Sequence, residues 1–149
     1  MNFLSGLHPV IVHFPIAMLT LYSVFEIISL FYREKNFQVI LLLFLGTAVL
    51  SGLAAVLTGN QAAQLCGNLL NAEQKNIINA HETFASAALF YYSFLFFVKL
   101  YLVNKKKFEG GIKYIYLSMI IIGNIFIYLT GYYGGRLVFE YGIGTRLFK

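Results

Sequence analysis

The chain carries three histidines, and two of them, His8 and His13, fall in the stretch GLHPVIVHFPIA at residues 6–17, which is otherwise apolar. The third, His81, is followed directly by Glu82. A neutral imidazole offers one ring nitrogen to a metal while the other holds a hydrogen bond that fixes the ring. Two such rings from different helices can fill both axial positions of a haem iron. His8 and His13 are five residues apart and would face about 140° away from each other on an ideal helix, so they do not serve one iron together.

An internal repeat selects the pair. Leu57-Thr58-Gly59 recurs as Leu129-Thr130-Gly131, and the small pair Ala62-Ala63 recurs as Gly134-Gly135. His13 precedes Thr58 by 45 residues and His81 precedes Thr130 by 49. This predicts two repeated helical hairpins of the parallel class, related by an axis along the membrane normal, with His13 facing His81. Gly59 and Gly131, with the alanines and glycines near them, would leave a slot between helices for a flat ring. Arg136, beside Gly134-Gly135, is placed to meet a carboxylate such as a haem propionate, or else to anchor in lipid headgroups. The candidate cofactor set therefore includes His13, His81, Gly59, Gly131 and Arg136. A bare-metal reading uses His13, His81 and His8. His8 has no counterpart in this scheme, and its role is open between a hydrogen bond, a metal or proton relay, and haem contact.

The elements that must position these residues are helices in hydrocarbon. Of 149 residues, 59% are hydrophobic and 11% charged, against roughly 25% charged in a soluble domain. Four apolar stretches, 10–31, 39–57, 84–103 and 114–130, each approach the ~20 residues that cross a bilayer core. The predicted fold is all-α, a polytopic four-helix transmembrane bundle in a single domain over residues 1–149. The first seven residues contain no Lys or Arg, so the N-terminal helix reads as retained rather than as a cleaved signal. Arg33 and Lys35 in one connection, and Lys105, Lys106, Lys107 and Lys113 in another, place those connections inside. Both termini then lie outside, although Arg136, Arg146 and Lys149 in the tail weaken the asymmetry. A net charge of +5 sits at membrane flanks, which argues for lipid headgroups over nucleic acid.

Other residues carry less. Cys66 is the only cysteine, so it closes no disulfide within the chain and forms no CxxCH haem-attachment motif. Glu26, inside the first helix, is a functional candidate because carboxylates are rare at membrane depth. Asn79 and Glu82 have part of the spacing of a helix cap and favour that role over orienting His81. Pro9 fits a first helical turn, with Pro15 kinking the helix and turning His13 inward; alternatively the helix begins at Pro15 and HPVIVHF is an extended lid. No nucleophile–base arrangement and no phosphate loop is evident, so an electron carrier fits better than an enzyme with its own substrate.

The start LHPVIVHFPIA, the LTG followed by small residues, the His81-Glu82 pair and the ending GGRLVFEYGIG resemble a bacterial membrane-protein family catalogued as domain of unknown function 2231. The resemblance covers almost the whole chain. It implies a four-helix integral membrane domain, sometimes placed near c-type cytochrome modules, and no established activity. In the family's ending, GG-x-L-V-Y-x-H-G-V-G, a histidine stands where this chain has Tyr141. That departure weakens a copper or zinc site built on four histidines and leaves a two-histidine haem intact. Tyr141 would then hydrogen-bond a propionate or line a quinone pocket.

The expectation is a b-type haem protein of the bacterial inner membrane, passing electrons between quinol and an external partner such as a c-type cytochrome. The alternatives are a histidine-based copper or zinc protein and a cofactor-free structural subunit. Four helices are few enough for one half of a homodimer or a subunit of a larger complex.

Overall fold

The computed structural model describes residues 3–31, 35–66 and 70–144. Arg33, Arg146 and Lys149, used above to orient the chain, lie outside the described residues, as does the side chain of Lys35. The described residues are all-helical: α1 (Phe3–Ile11), α2 (His13–Ile28), α3 (Lys35–Cys66), α4 (Ala72–Asn104) and α5 (Gly111–Phe139). Four spans are long and apolar enough to cross a membrane, the first formed by α1 and α2 in succession. The interruption at Val12 has a local cause. Pro15 has no N–H for the carbonyl of Ile11, while Val12 keeps helical angles of φ −60 and ψ −26.

The helices outrun the apolar stretches at the end that holds the histidines. α3 continues nine residues past Leu57, and α4 starts twelve residues before Phe84. The start of α4 is fixed by a capping box: the Asn71 side chain accepts from the Gln74 backbone N–H, and the Gln74 side chain accepts from the Asn71 N–H. Capping by Asn79 and Glu82 is therefore corrected. Asn79 lies two turns and Glu82 almost three turns inside the helix, where the backbone donors are already satisfied.

The α1–α2 span packs on α3, α3 on α4, α4 on α5, and α5 back on α2. The first span thus stands diagonally opposite α4, and α3 opposite α5. Large apolar side chains such as Leu50, Phe90, Phe97 and Ile115 point outward, as they must in a bundle whose surroundings are hydrocarbon. Inside are Leu41, Leu45, Leu95, Ile120 and three tyrosines, Tyr22, Tyr92 and Tyr116. The buried hydroxyls are paired. Tyr22 Oη meets Tyr116 Oη at 2.9 Å, Tyr116 donates to the Leu95 carbonyl at 3.0 Å, and Tyr92 donates to Asn124 Oδ1 at 3.0 Å.

The two charged side chains at the centre of the bundle form a pair. Lys99 Nζ meets Glu26 Oε1, with the two side chains 0% and 3% exposed. Glu26 Oε2 accepts from Ser29. The ammonium lies over the rings of Phe108 at 5.1 Å, Tyr22 at 5.2 Å and Tyr116 at 5.7 Å, where aromatic faces offset part of the lost hydration. Glu26 and Lys99 are 73 positions apart in the chain, and so are His8 and His81. The repeat axis is therefore marked near both ends by a pair of equivalent positions. The pairing of Glu26 with Lys99 answers the question its sequence position raised.

Removing one partner leaves a bare charge in the core, which costs about 3–5 kcal/mol. Glu26→Gln and Lys99→Met are expected to lower thermal stability in detergent by that amount. The charge-swapped double variant Glu26→Lys/Lys99→Glu is expected to recover most of it. Equal stability of wild type and single variants would show that the pair is not held in the bundle.

Candidate functional site

His8 is carried by α1 and His81 by α4, the diagonal pair of spans. His8 Nδ1 lies 3.0 Å from the Ala55 carbonyl and 3.2 Å from Thr58 Oγ1 on α3. The Thr58 hydroxyl donates its own proton to the carbonyls of Ala54 and Ala55, so it can only accept from the ring. His81 Nδ1 lies 2.9 Å from the Thr130 carbonyl on α5. A carbonyl accepts and cannot donate. Both rings are therefore Nδ1–H tautomers, and both Nε2 lone pairs are left for another partner. Among the described residues no hydrogen bond engages either Nε2 atom.

Glycine makes these bonds reachable. A side chain four residues after a helix carbonyl would cover it. Gly59 follows Ala55 by four, and Gly134 follows Thr130 by four. A Cβ on Gly59 would lie 2.8 Å from His8 Cε1, and one on Gly134 would lie 3.1 Å from His81 Cε1. The two sites are copies displaced by about one helical turn. A Cβ on Gly131 would meet nothing within 4 Å.

The ring centres of His8 and His81 are 6.4 Å apart, with the planes at 79°. The predicted partnership of His13 with His81 is thus corrected: the histidine across from His81 is His8. His13 lies on the cavity wall and is exposed, because five residues of helix turn it away from His8. The surrounding cavity, of about 560 Å³, is lined by all four spans. Its walls include Pro15, Ala48, Gly52, Ala55, Ala85, Ala88 and Gly134, so the small residues do gather into a slot, and Tyr92 lies at its deep end. Volumes of roughly 300–1,000 Å³ are usual for cofactor sites.

Three other sequence candidates stand differently. Gly59 is brought to the site, as the seat of His8. Gly131 lines the cavity without touching either ring. Arg136 is not on the cavity wall: it is tied to Glu140 one turn on, Nε at 2.9 Å from both carboxylate oxygens. The guanidinium holds the Glu140 carboxyl below its usual range. Tyr141 also lies off the cavity wall. It donates to Glu73 Oε1 at 2.8 Å, which raises its phenol above the usual value. This bond clasps the end of α5 to the start of α4, over a small apolar cluster of Leu70, Ile77, Ile78, Leu137 and Ile143. Cys66 borders the same cavity and is half-buried.

The seats of the rings are testable through the glycines. Gly59→Ala and Gly134→Ala force the imidazoles aside and are expected to cost about 1–3 kcal/mol by thermal unfolding. Gly131→Ala, with open space around it, is expected to be neutral or slightly stabilising, since alanine is the better helix former. Equal effects at the three positions would contradict the seating of the rings.

No curated protein and no solved structure matches the chain. The model of a family described as predicted membrane protein (DUF2231) matches residues 5–147. That span takes in both histidine seats, the Glu26–Lys99 pair and all four membrane-spanning helices, and the chain belongs to the DUF2231 family of membrane proteins.

Proposed function

We propose that the protein is a membrane electron carrier that holds one b-type haem between His8 and His81. The observation that carries this reading is the pair of imidazoles on diagonal spans, each fixed through Nδ1 to a helix carbonyl, with ring centres 6.4 Å apart. Two imidazoles on opposite sides of one metal, with bonds of ~2.0–2.1 Å and about 1.1 Å from nitrogen to ring centre, have centres about 6.3 Å apart. Two ligands of a tetrahedral ion would sit closer, at about 5.1 Å by the same construction. A ring spacing of this order would let His8 and His81 hold one metal centre, such as a haem iron, between them. A bare ion also asks for further ligands, and among the described residues no group of three His, Cys, Asp or Glu side chains gathers.

The chain's own contribution is orientation and exclusion of water. The carbonyl bonds at Nδ1 set the tautomer and raise the basicity of Nε2, the usual way a histidine ligand is prepared. Small side chains on the walls admit a flat ring, and the apolar lining keeps the local dielectric low. Bound haem would supply a one-electron couple; low dielectric and imidazole ligation tune its potential.

Lys105, Lys106, Lys107 and Lys113 lie at the end of the bundle away from the histidines. By the excess of basic residues on the cytoplasmic side, the histidine cavity faces the outside of a bacterial inner membrane. An electron would pass there to an external acceptor such as a c-type cytochrome.

Protein expressed with ample haem is expected to show the reduced-minus-oxidised α band of a six-coordinate b haem. His8→Ala and His81→Ala are expected to lose stoichiometric haem, whereas His13→Ala retains it. Colourless wild-type protein would overturn the reading, and loss of haem only in His13→Ala would overturn the ligand assignment.

A further inference from the structure

The repeat is broken at one place, and the break is an opening. On the α3 and α4 side, every residue of the cavity wall except Asn60 is buried or half-buried. On the facing seam, between the first span and α5, the wall residues Pro9, His13, Ile16, Gly131, Val138 and Phe139 are exposed. α1 packs on α3 and α2, and the contact of the first span with α5 is made mainly by α2, deeper in the bundle. Gly131 stands in this gap with nothing within 4 Å of where its Cβ would be. The wall residues on this seam include Ile16, Val138 and Phe139, 37%, 42% and 89% exposed. A rim of this composition borders lipid and not water.

The gap therefore admits a molecule from the bilayer. Its wall shows what kind. Among the described residues the wall is built largely of small and apolar side chains such as Pro15, Ile16, Gly52, Ala85 and Leu89, a lining that suits an uncharged ring. The polar side chain on the exposed rim is His13, whose imidazole can give or accept a hydrogen bond with a neutral hydroxyl or carbonyl. We propose that this seam is a lateral portal for an isoprenoid hydroquinone, whose tail stays in the bilayer while its ring enters past Gly131 to be oxidised, with His13 holding a ring oxygen. The inference rests on the haem reading, because the electron acceptor would be the haem that His8 and His81 hold.

The step balances over two turnovers. Bound haem would take one electron at a time, so one hydroquinone would supply its two electrons over two turnovers. Its two O–H protons leave to the water at the histidine end, and it departs as the quinone. This also assigns His13 a part that its position away from His8 otherwise leaves unexplained.

The test uses the full chain, loaded with haem, in nanodiscs. The α band is first recorded after dithionite; then the oxidised protein is mixed with a benzohydroquinone bearing an isoprenoid tail. Wild type is expected to be reduced by both. Gly131→Leu fills the gap and, per haem bound as read from the dithionite-reduced α band of the same sample, is expected to slow hydroquinone reduction at least ten-fold. His13→Phe is expected to weaken dependence on hydroquinone concentration in the same direction. Gly111→Leu, a similarly open glycine at the far end of α5, serves as control and is expected to react like wild type. If dithionite reduces the haem and the hydroquinone does not, or if Gly131→Leu reacts at the wild-type rate, the portal is overturned and the haem reading stands. If no α band appears with dithionite, both fall together.

Discussion

The first span and α4, diagonal in the bundle, meet through their side chains at two levels. Each span carries two paired side chains 18 residues apart: His8 on α1 and Glu26 on α2 in the first span, and His81 and Lys99 on α4 in the other. Eighteen residues are five turns, about 27 Å of helix. The repeat axis then brings like positions together twice, histidine with histidine at one end and glutamate with lysine towards the other. The buried ion pair fixes the rotation of both helices, and that rotation decides which way the distant imidazoles face. A buried pair of this kind is weak evidence for stability and better evidence for a fixed register. Its two members differ although their positions are equivalent, so the chain's halves are complementary and not interchangeable.

The remaining helices hold what the diagonal pair presents. α3 and α5 each offer one carbonyl with a glycine four residues later, and each takes one imidazole. Three layers follow along the bundle: the seated rings, a slot walled by small residues, and a zone of tyrosines closed by Tyr22, Tyr92 and Tyr116. Several polar groups that hydrocarbon would penalise, among them the hydroxyls of Tyr22, Tyr92 and Tyr116 and the Glu26–Lys99 pair, are thus held inside the bundle with partners, while many aromatic and aliphatic side chains face outward.

Much of this was legible in the residue order. The four apolar stretches gave the spans, and the LTG repeat gave the two hairpins, because both signals are periodic and tolerate small errors in register. The partner of His81 was a matter of one turn. His13 precedes its LTG threonine by 45 residues and His8 by 50, against 49 for His81, so the closer match pointed to His8. A kinked start hid this, since the first apolar residues after His8 read as the entrance to the span, while the helix in fact runs through them. The Lys99 partner of Glu26 was hidden differently. A lysine near the end of an apolar stretch reads as an interfacial anchor, and only the equal spacing of 73 marks it as the counterpart of Glu26. The polar helix extensions at the histidine end carry no hydropathy signal, and the Asn71–Gln74 box lies beyond the stretch where a cap was sought.

In the proposed haem site, two imidazoles from two helices, those of His8 and His81, would meet one iron. Pulsed electron paramagnetic resonance of the oxidised, haem-loaded protein, grown with ¹⁵N-histidine, counts the ligands directly. The account predicts a low-spin ferric centre coupled to two histidine nitrogens, reduced below two by replacing either His8 or His81 and unchanged by replacing His13. A low-spin centre coupled to one histidine, or coupling that disappears with His13, would contradict it.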